Sequence, residues 1–239
     1  MVIWLASFPR SGNTFFRILL YHIYGFKTYS IYNDPLFEEI GASEVVGHEK
    51  LPASIDELDR DSAIYFVKTH DLPKDNKNAI YLIRDGRDAL VSYAKYIRTF
   101  VNTNSIMGIM RKVWYNITPF KYTLKDCIVN NRHFGGWSNN VFSWTKRRKD
   151  AHTFVIRYED LINEPYKIVI EAIKSLNLNI SNNEKGNVPT FEELHNRWPN
   201  FFRKGKVSSW KKEMTEELHE LFWKYHGEAM TLFGYKKNE

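Results

Sequence analysis

Short, nearly continuous apolar runs alternate along the chain with longer segments in which apolar residues recur at helical spacing. Four runs predict buried strands: 2–7, 63–68, 79–84 and 153–157. Five segments predict helices: 14–24, 86–99, 136–149, 165–176 and 215–233. Because strands that are covered on both faces need apolar side chains at almost every position, these runs indicate a parallel sheet between layers of helices.

The alternation of strands and helices predicts one α/β domain over residues 1–239, with a central parallel sheet, helices on both faces and right-handed crossovers. The segment 99–132 has weaker periodicity and mixes aromatic with basic residues. We therefore expect it to be an insertion or lid and not a second domain. Ligands of such sheets bind beyond the carboxyl ends of the strands, so candidate chemistry is expected directly after each strand.

Composition narrows the class of protein. The 239 residues include 34 Lys and Arg against 28 Asp and Glu, a net charge of +6, and 43% are hydrophobic. These values exclude a disordered or collagen-like chain, and the basic excess suggests an anionic partner. The single cysteine, Cys127, excludes an internal disulfide and a cysteine-based zinc cluster. No apolar run approaches the ~20 residues of a membrane span, and there is no basic leader, so we expect a cytoplasmic protein without a membrane partner.

The segment S-F-P-R-S-G-N-T at 7–14 follows the first predicted strand and opens a helix. Small residues let backbone N–H groups approach an anion there, and the helix N-terminus adds its positive dipole end. Compared with the nucleotide-binding loop G-x-x-x-x-G-K-[ST], the segment keeps Gly12 and Thr14 but has Asn13 in place of the lysine. We interpret it as a P-loop-like phosphate-binding loop whose cation is Arg10. The alternative is an ordinary capped helix start.

Lys68 and His70 lie at the end of the second predicted strand, where alternation places both side chains on one face. A neutral imidazole can take a proton from a hydroxyl group near neutral pH, as transfer of a group to an alcohol or phenol requires. A surface loop histidine is the alternative interpretation. Its position at the ligand end of a parallel sheet favours His70 as a catalytic base.

Arg84 ends the third predicted strand, and Ser92 lies about two turns into the following helix, so both can reach one anion. A planar guanidinium suits the oxygens of a phosphate group. The alternative is an ion-pair network in which Asp85 and Asp88 pair with the neighbouring arginines. We expect Arg87 and Asp88 to be structural, and Arg84 and Ser92 to bind the ligand.

Five segments resemble, in order along the chain, the motifs of the PAPS-dependent sulfotransferases. The segment at 7–14 resembles their 5′-phosphosulfate loop, T-Y-P-K-S-G-T-T-W, and K-T-H-D-L-P at 68–73 resembles K-T-H-L-P. Residues 81–93 are similar to the 3′-phosphate motif, Y-x-x-R-N-x-x-D-x-x-V-S-x-Y. W…W and Y-E-D-L elements occur at 137–161. Residues 202–211 resemble R-K-G-x-x-G-D-W-K, although this basic run alone would be typical of a solvated surface.

The resemblance implies a binding site for each part of PAPS, the molecule from which these enzymes take the sulfuryl group. The 5′-phosphosulfate group would be held by Arg10, Ser11, Gly12, Asn13 and Thr14. The 3′-phosphate group would be held by Arg84, Ser92, Arg203, Lys204 and Gly205. The adenine ring would contact Phe15, Tyr158, Thr190 and Phe191. The catalytic base would be His70, and the developing negative charge would be stabilised by Lys68 and Arg10.

The implied reaction is metal-independent, in-line transfer of a sulfuryl group from 3′-phosphoadenylyl sulfate (PAPS) to a hydroxyl group of a small-molecule acceptor, with 3′-phosphoadenosine 5′-phosphate (PAP) as the product. Arg10 replaces the family's lysine, and because arginine keeps its proton its contribution would be electrostatic. Glu216 replaces an apolar residue of the family's dimer segment, so we expect a monomer or a weak homodimer. Nothing in the motifs distinguishes alcohols, phenols, amines and carbohydrates as acceptors.

Two other functions are consistent with parts of the sequence. A small-molecule kinase with a degenerate phosphate-binding loop would need a lysine at position 13 and acidic magnesium ligands, and Asn13 argues against it. A nucleic-acid-binding module could use the basic and aromatic residues, but no DNA or RNA motif occurs. The eight histidines show no metal-ligand spacing, so we expect neither a metal nor a nucleic-acid partner.

Overall fold

The computed structural model describes residues 1–32, 36–101, 103–130, 134–178, 180, 187–199, 201–202 and 207–238. Its strands form one five-stranded sheet in the order β2-β3-β1-β4-β5, and every neighbouring pair is parallel. The strands are β1 (Val2–Ser7), β2 (Thr28–Ser30), β3 (Tyr65–Thr69), β4 (Ala79–Ile83) and β5 (Thr153–Arg157). The predicted α/β class with a central parallel sheet is confirmed.

Twelve α-helices and one 3-10 turn surround the sheet in the described part of the chain. The helices are α1 (Asn13–Tyr24), α2 (Leu36–Glu39), α3 (Ser43–Val46), α4 (Ile55–Arg60), α5 (Gly86–Thr99), α6 (Ile106–Ile117), α7 (Phe120–Val129), α8 (Trp137–Thr145), α9 (Tyr158–Asn163), α10 (Pro165–Ser175), α11 (Phe191–Arg197) and α12 (Glu216–Leu232). The 3-10 turn is Ser209–Lys212. None of these helices is long and apolar enough to cross a membrane.

Two core clusters lie on opposite faces of the sheet. Successive side chains of β1 alternate between them: Ile3 and Leu5 belong to the cluster that contains α1 and α10. Trp4 and Ala6 contact the cluster that contains α5, α8 and α12. This alternation follows from the twofold periodicity of a strand, and it explains why both types of position are apolar in the sequence.

The central position of β1 defines the ligand-binding edge of the sheet. Val2 pairs with Tyr65 of β3 on one side, and Trp4 pairs with Ala79 of β4 on the other. The strand order therefore diverges at β1, and the loop after Ser7 opens at the carboxyl edge between the two halves. Such a divergence is where open α/β sheets bind their ligands.

Candidate functional site

The loop between β1 and α1 has a backbone that exposes the N-terminus of the helix. Arg10 and Gly12 both adopt positive φ values, 69° and 96°. Gly12 is the N-cap of α1 and has no side chain that could cap the helix, and the first turn contains no acidic residue. The N–H groups of that turn and the positive end of the helix dipole are therefore available to an anion.

A cleft of about 620 Å³ lies above the carboxyl edge of the sheet, within the size range of small-ligand sites. It brings together most of the residues that the sequence analysis singled out. Those lining it are Arg10, Gly12, Asn13, Thr14, Phe15, Lys68, His70, Arg84, Ser92, Tyr158 and Phe191. Segments that are far apart in the chain thus contribute to one cavity.

The ring of His70 is held in one tautomer by the end of β1. Its Nδ1 atom lies 2.8 Å from the carbonyl oxygen of Ser7 and 3.2 Å from the hydroxyl of the same residue. A carbonyl oxygen only accepts hydrogen bonds, so Nδ1 carries the proton of the neutral ring. The lone pair is then on Nε2, which is the atom that a general base uses.

The backbone around His70 is fixed by polar side chains from outside the loop. The hydroxyl of Tyr32 accepts a hydrogen bond from the amide of His70 at 2.8 Å and donates one to Asp71 Oδ1 at 2.8 Å. The two rings stack with centroids 5.8 Å apart. Behind them, Asn140 Nδ2 donates to the carbonyl of His70 at 2.8 Å, while its Oδ1 accepts from the hydroxyl of Tyr81 at 2.9 Å.

The sequence motifs gave neither Tyr32 nor Asn140 a role beside His70. Tyr32 precedes His70 by 38 residues and Asn140 follows it by 70, and neither lies in a residue pattern that marks the contact. Trp144, by contrast, belongs to the W…W element, and its indole N–H donates to the carbonyl of Asp71 at 2.9 Å. That element therefore supports the loop that carries the imidazole.

Lys68 lies on the same side of the sheet as His70 and is buried. Its ammonium group is 5.6 Å from the ring centroid of Tyr32 and 5.9 Å from that of Phe37. Aromatic faces attract a cation in such an environment. The lysine thus places a positive charge beside the imidazole in a poorly hydrated wall of the cleft.

Arg84 is buried, and its neighbours include Tyr158, Arg10 and Asp88. Its guanidinium lies 4.5 Å from the ring centroid of Tyr158, and Nη1 donates to the carbonyl of Arg10 at 3.1 Å. Nη2 is 3.7 Å from Asp88 Oδ2. Tyr158 in turn lies directly against Gly12, where a Cβ atom would come within 2.6 Å of its Cδ2 atom. Burial raises the pKa of the Tyr158 phenol, so its ring supports the arginine as a neutral group.

The side chain of Arg10 spans the cleft towards α5. Its Nε atom donates to Ser92 Oγ at 3.2 Å, and Nη2 donates to the carbonyl of Phe201 at 2.8 Å. The guanidinium also lies 5.3 Å from the ring centroid of Tyr96. In this structure the cation of Arg10 therefore lies beside Ser92 of α5.

The remaining acidic and basic residues after β4 are structural. Arg87 pairs with Asp85 at 2.7 Å, and Arg84 lies 3.7 Å from Asp88, so the alternative ion-pair network is present here. Asp88 also accepts hydrogen bonds from the amides of Ser208 and Trp210, at 2.8 and 2.9 Å, and from Ser209 Oγ. One carboxylate thus holds the start of the 3-10 turn against α5. The neighbouring residues Arg203, Lys204 and Gly205 lie outside the described residues.

Three other predicted contact residues make the following contacts in the structure. Thr190 is the N-cap of α11 and forms a capping box with Glu193, so its hydroxyl is used within the helix. Ser11 is buried, and within the described part of the chain its Oγ atom has no hydrogen-bond partner. Phe15 packs edge-to-face against Phe191 with ring centroids 5.8 Å apart, and the two rings form an apolar wall of the cleft.

Among the described residues, one group of side chains could hold a metal ion. Glu216, His219 and Glu220 on α12 have ligand atoms within 4.8 Å of one another. His219 Nε2 already accepts a hydrogen bond from the indole of Trp223, and Glu220 pairs with Lys237. None of the three lines the cleft, so the group does not contribute to the site described above.

The chain is similar to known proteins over nearly its whole length. A family model described as "Sulfotransferase domain" matches residues 2–234. Mouse sulfotransferase 1E1 is 24% identical over 257 residues, which cover 95% of this chain and 82% of that protein. Flavonol 4′-sulfotransferase from Flaveria chlorifolia is 25% identical over 267 residues, covering 97% of this chain and 80% of that protein. The crystal structure of mouse sulfotransferase SULT7A1 complexed with PAP has a TM-score of 0.66 at 19% identity and covers 97% of this chain and 87% of its own. At that identity the structural likeness shows a shared fold.

Proposed function

The chain belongs to the sulfotransferase domain family, and from that premise we propose that it transfers a sulfuryl group from PAPS to a hydroxyl group of a small-molecule acceptor. One observation carries the proposal: a single cleft contains the uncapped N-terminus of α1, a second cationic site at Arg84 and Ser92, and the imidazole of His70. Two anion sites flanking a base match a donor that is charged at both ends.

The loop at 7–14 would bind the 5′-phosphosulfate group through backbone N–H groups of the first helical turn. The side chain of Asn13 does not reach out as a P-loop lysine would. Its Nδ2 atom donates to the carbonyl of Leu5 at 2.9 Å and to Ser7 Oγ at 3.3 Å, so it shapes the loop from behind. This arrangement supplies no lysine for a β- or γ-phosphate and gives no support to the kinase alternative.

Arg84 and Ser92 would bind the 3′-phosphate group. Both line the cleft, and the guanidinium is fixed in place by Tyr158 and the carbonyl of Arg10. A cation that is already oriented loses less side-chain freedom when an anion arrives. Arg203, Lys204 and Gly205 remain predicted partners of the same phosphate.

The adenine ring would lie along the wall formed by Phe15 and Phe191. Rings at this spacing offer faces and edges for stacking while excluding water. Tyr158 is enclosed between Gly12 and Arg84, so we assign it chiefly to the support of the arginine, with only its edge turned towards the nucleotide. The hydroxyl of Thr190 would act through the position of α11, because it caps that helix.

In the proposed mechanism Nε2 of His70 takes the proton of the acceptor hydroxyl while the oxygen attacks sulfur. The bond between sulfur and the bridging oxygen breaks, and its electron pair stays on that oxygen in PAP. Lys68 and the N–H groups of α1 would stabilise the charge that develops there. Arg10 would contribute after its guanidinium leaves Ser92, which the 3′-phosphate also contacts. We also propose that the segment 99–132 covers the acceptor side of the cleft.

The test is a transfer assay in which PAPS is incubated with panels of phenols, alcohols, amines and carbohydrates, in the presence of a metal chelator. We expect an acceptor hydroxyl to gain the mass of one SO₃ group. Adenosine 5′-phosphosulfate, which lacks the 3′-phosphate, is the matched control donor and should be much poorer. Phosphate transfer from magnesium ATP to any of the acceptors in a parallel assay without the chelator, with no transfer from PAPS, would refute the proposal in favour of a kinase. The cytoplasmic location and the monomeric or weakly dimeric state remain predictions.

A further inference from the structure

Helix α6 turns its apolar side chains away from the protein. Ile106 is 78% exposed, Ile117 is 73% and Met110 is 62%. The other large apolar side chains of the helix that are more than two-fifths exposed are Met107, Ile109, Val113 and Trp114. Surface helices of globular proteins normally bury such residues, and isolated exposed ones are the usual exception. Here seven occur on one helix of twelve residues.

The exposed apolar residues form one continuous face. At 3.6 residues per turn, Ile109 and Met107 mark its two edges, and the face covers about 160° of the circumference. Gly108 and Tyr115, the buried residues of the helix, lie on the opposite side. Arg111 and Lys112 border the apolar face on either side. This is the distribution of an amphipathic helix that lies in the interface of a membrane.

The helix is held firmly in this orientation. The guanidinium of Arg98 on α5 donates to the carbonyls of Tyr115 and Thr118 and to Thr123 Oγ1. Lys112 Nζ donates in return to the carbonyl of Arg98 at 3.2 Å. Arg98 thus joins α5, α6 and α7, and the bonded groups lie on the inner side of α6. The outward direction of the apolar face is therefore set by specific contacts.

Basic residues are concentrated in the same part of the chain as this apolar face. Residues 89–125 contain six basic side chains and no aspartate or glutamate. The whole chain has a net charge of +6, so the remaining residues are neutral in sum. Three of the six point inwards: Lys95 pairs with Glu213, Arg98 makes the contacts above, and Lys112 donates to the carbonyl of Arg98. Arg111, Lys121 and Lys125 are exposed on α6 and α7.

We propose that α6 and the start of α7 dock this protein onto an anionic lipid bilayer, with the apolar face of α6 buried in the plane of the interface. The apolar side chains would enter the boundary of the acyl chains, while the basic residues around them attract anionic headgroups. At twelve residues α6 is too short to span a bilayer and suits an in-plane position. This revises the sequence-based expectation of no membrane partner.

Charge also distinguishes a bilayer from a second copy of the chain. Two copies packed through α6 would bring the exposed Arg111 close to the same residue of the other copy, where like charges repel. An anionic surface neutralises them instead. The proposal does not depend on sulfuryl transfer, because it concerns a surface and not the cleft.

The first experiment measures co-sedimentation of the full chain with two kinds of vesicles. One contains phosphatidylcholine alone, and the other contains phosphatidylcholine with one-third phosphatidylserine. We expect binding to the mixed vesicles that weakens as NaCl is raised, and little binding to the neutral ones. Equal binding to both, or none to the mixed vesicles, would overturn the proposal.

Two triple variants locate the surface. Replacing Ile106, Met110 and Ile117 with serine should lower the partition coefficient on the order of 100-fold, because three large apolar side chains no longer enter the bilayer. The matched control replaces three exposed apolar residues elsewhere, Tyr166, Tyr225 and Leu232, with serine. It should bind as the unmodified chain does. All six side chains are exposed, so circular dichroism should show an unchanged fold.

Charge reversal tests the electrostatic part. The variant R111E/K121E/K125E should lose on the order of 100-fold in partitioning. The control, K149E/K174E/K224E, alters net charge equally at exposed positions outside the docking surface. Similar losses in both variants would show that only net charge matters and would overturn the assignment to α6. If the serine variant instead changed sedimentation velocity from dimer to monomer without affecting vesicle binding, the face would be a dimer interface and the proposal would be wrong.

Trp114 provides a direct readout of depth. It is the tryptophan on the exposed face of α6, among seven in the chain. Lipids brominated on the acyl chain should quench fluorescence of the unmodified protein, and the W114F variant should lose most of that quenching. Quenching that is the same in both proteins would show that α6 does not enter the bilayer.

Discussion

Gly12 offers the sharpest test of the phosphate-binding loop, because a second glycine provides a matched control. Both Gly12 and Gly41 have positive φ values, 96° and 66°. A Cβ added to Gly12 would lie 2.6 Å from Cδ2 of Tyr158, whereas one added to Gly41 would meet nothing within 4 Å. Alanine at either position is therefore destabilised by the left-handed backbone, but only at Gly12 does it also displace the ring of Tyr158.

The effect of the backbone strain and the effect of displacing Tyr158 differ in what they change and by how much. The left-handed conformation should destabilise each alanine variant by about 1–2 kcal/mol in the free energy of unfolding. Ordinary contact distances begin at 3.4 Å, so Tyr158 must also retreat by roughly 1 Å in the Gly12 variant. The ring of Tyr158 supports the guanidinium of Arg84 at 4.5 Å. A displacement of this size in a positioning group costs up to about 100-fold, so we expect the Kd of PAP to rise between about 10- and 100-fold.

The assays are urea unfolding and titration calorimetry with PAP. Gly12→Ala should lose both stability and PAP affinity, while Gly41→Ala should lose stability alone. The double variant Gly12→Ala/Tyr158→Ala extends the test: in a background without the ring, alanine at position 12 should cost only backbone strain. If both glycine variants bound PAP equally well, the contact between loop and ring would have no part in nucleotide binding and the reasoning would fail.

Three further predictions concern single side chains. His70→Gln should lower kcat by at least about 100-fold and leave the calorimetric Kd of PAP unchanged, since the ring accepts a proton and does not bind the nucleotide; a parallel loss of PAP affinity would contradict the role of base. Arg84→Ala should weaken binding of PAP by about 2 kcal/mol more than binding of AMP, which lacks the 3′-phosphate; equal losses for the two nucleotides would remove Arg84 from that site. Burial lowers the pKa of His226 to about 4, so between pH 6.5 and pH 4 the unfolded chain binds a proton that the folded chain does not. Stability in urea should therefore fall by about 3 kcal/mol over that window as pH decreases, and His226→Gln should flatten the slope; an unchanged slope would assign the pH dependence to other groups.

Most of the sheet could be predicted because its strands are buried on both faces. The predicted runs 2–7 and 153–157 coincide with β1 and β5. The edge strand Thr28–Ser30 could not be predicted, since three residues are too few to show a period. The predicted helix 136–149 ends at Thr145, because its last four residues are basic and contribute no apolar face.

No helix was predicted within 99–132, where the structure has α6 and α7. A helix is recognised in a sequence when apolar and polar residues separate onto opposite sides. In α6 the outward side is apolar, while Tyr115 and Gly108 lie on the inward side. The apolar residues of α6 nevertheless recur at helical spacing along one face, so the sequence of 99–132 contained the helix. What the sequence could not show is that this apolar face points outward.

The motifs identified polar residues that line the cleft, but they did not identify the residues that fix the backbone of His70. Lys68, His70 and Arg84 follow strands, and parallel strands end at one edge, so their convergence could be expected. The contacts of Tyr32 and Asn140 with the backbone of His70 depend on packing between distant segments. Nothing local in the sequence encodes such pairs.

The position of β1 in the middle of the sheet also affects how the chain folds while it is being synthesised. Its six residues, VIWLAS, are synthesised before both of the strands that pair with them, since Val2 pairs with Tyr65 and Trp4 pairs with Ala79. At about 5–20 residues per second, the strand waits roughly 4–15 seconds for its second partner. During that interval an apolar segment is exposed with both edges unpaired, which is the condition that holdase chaperones recognise. Nascent chains of this protein should therefore depend on such protection until β4 has emerged.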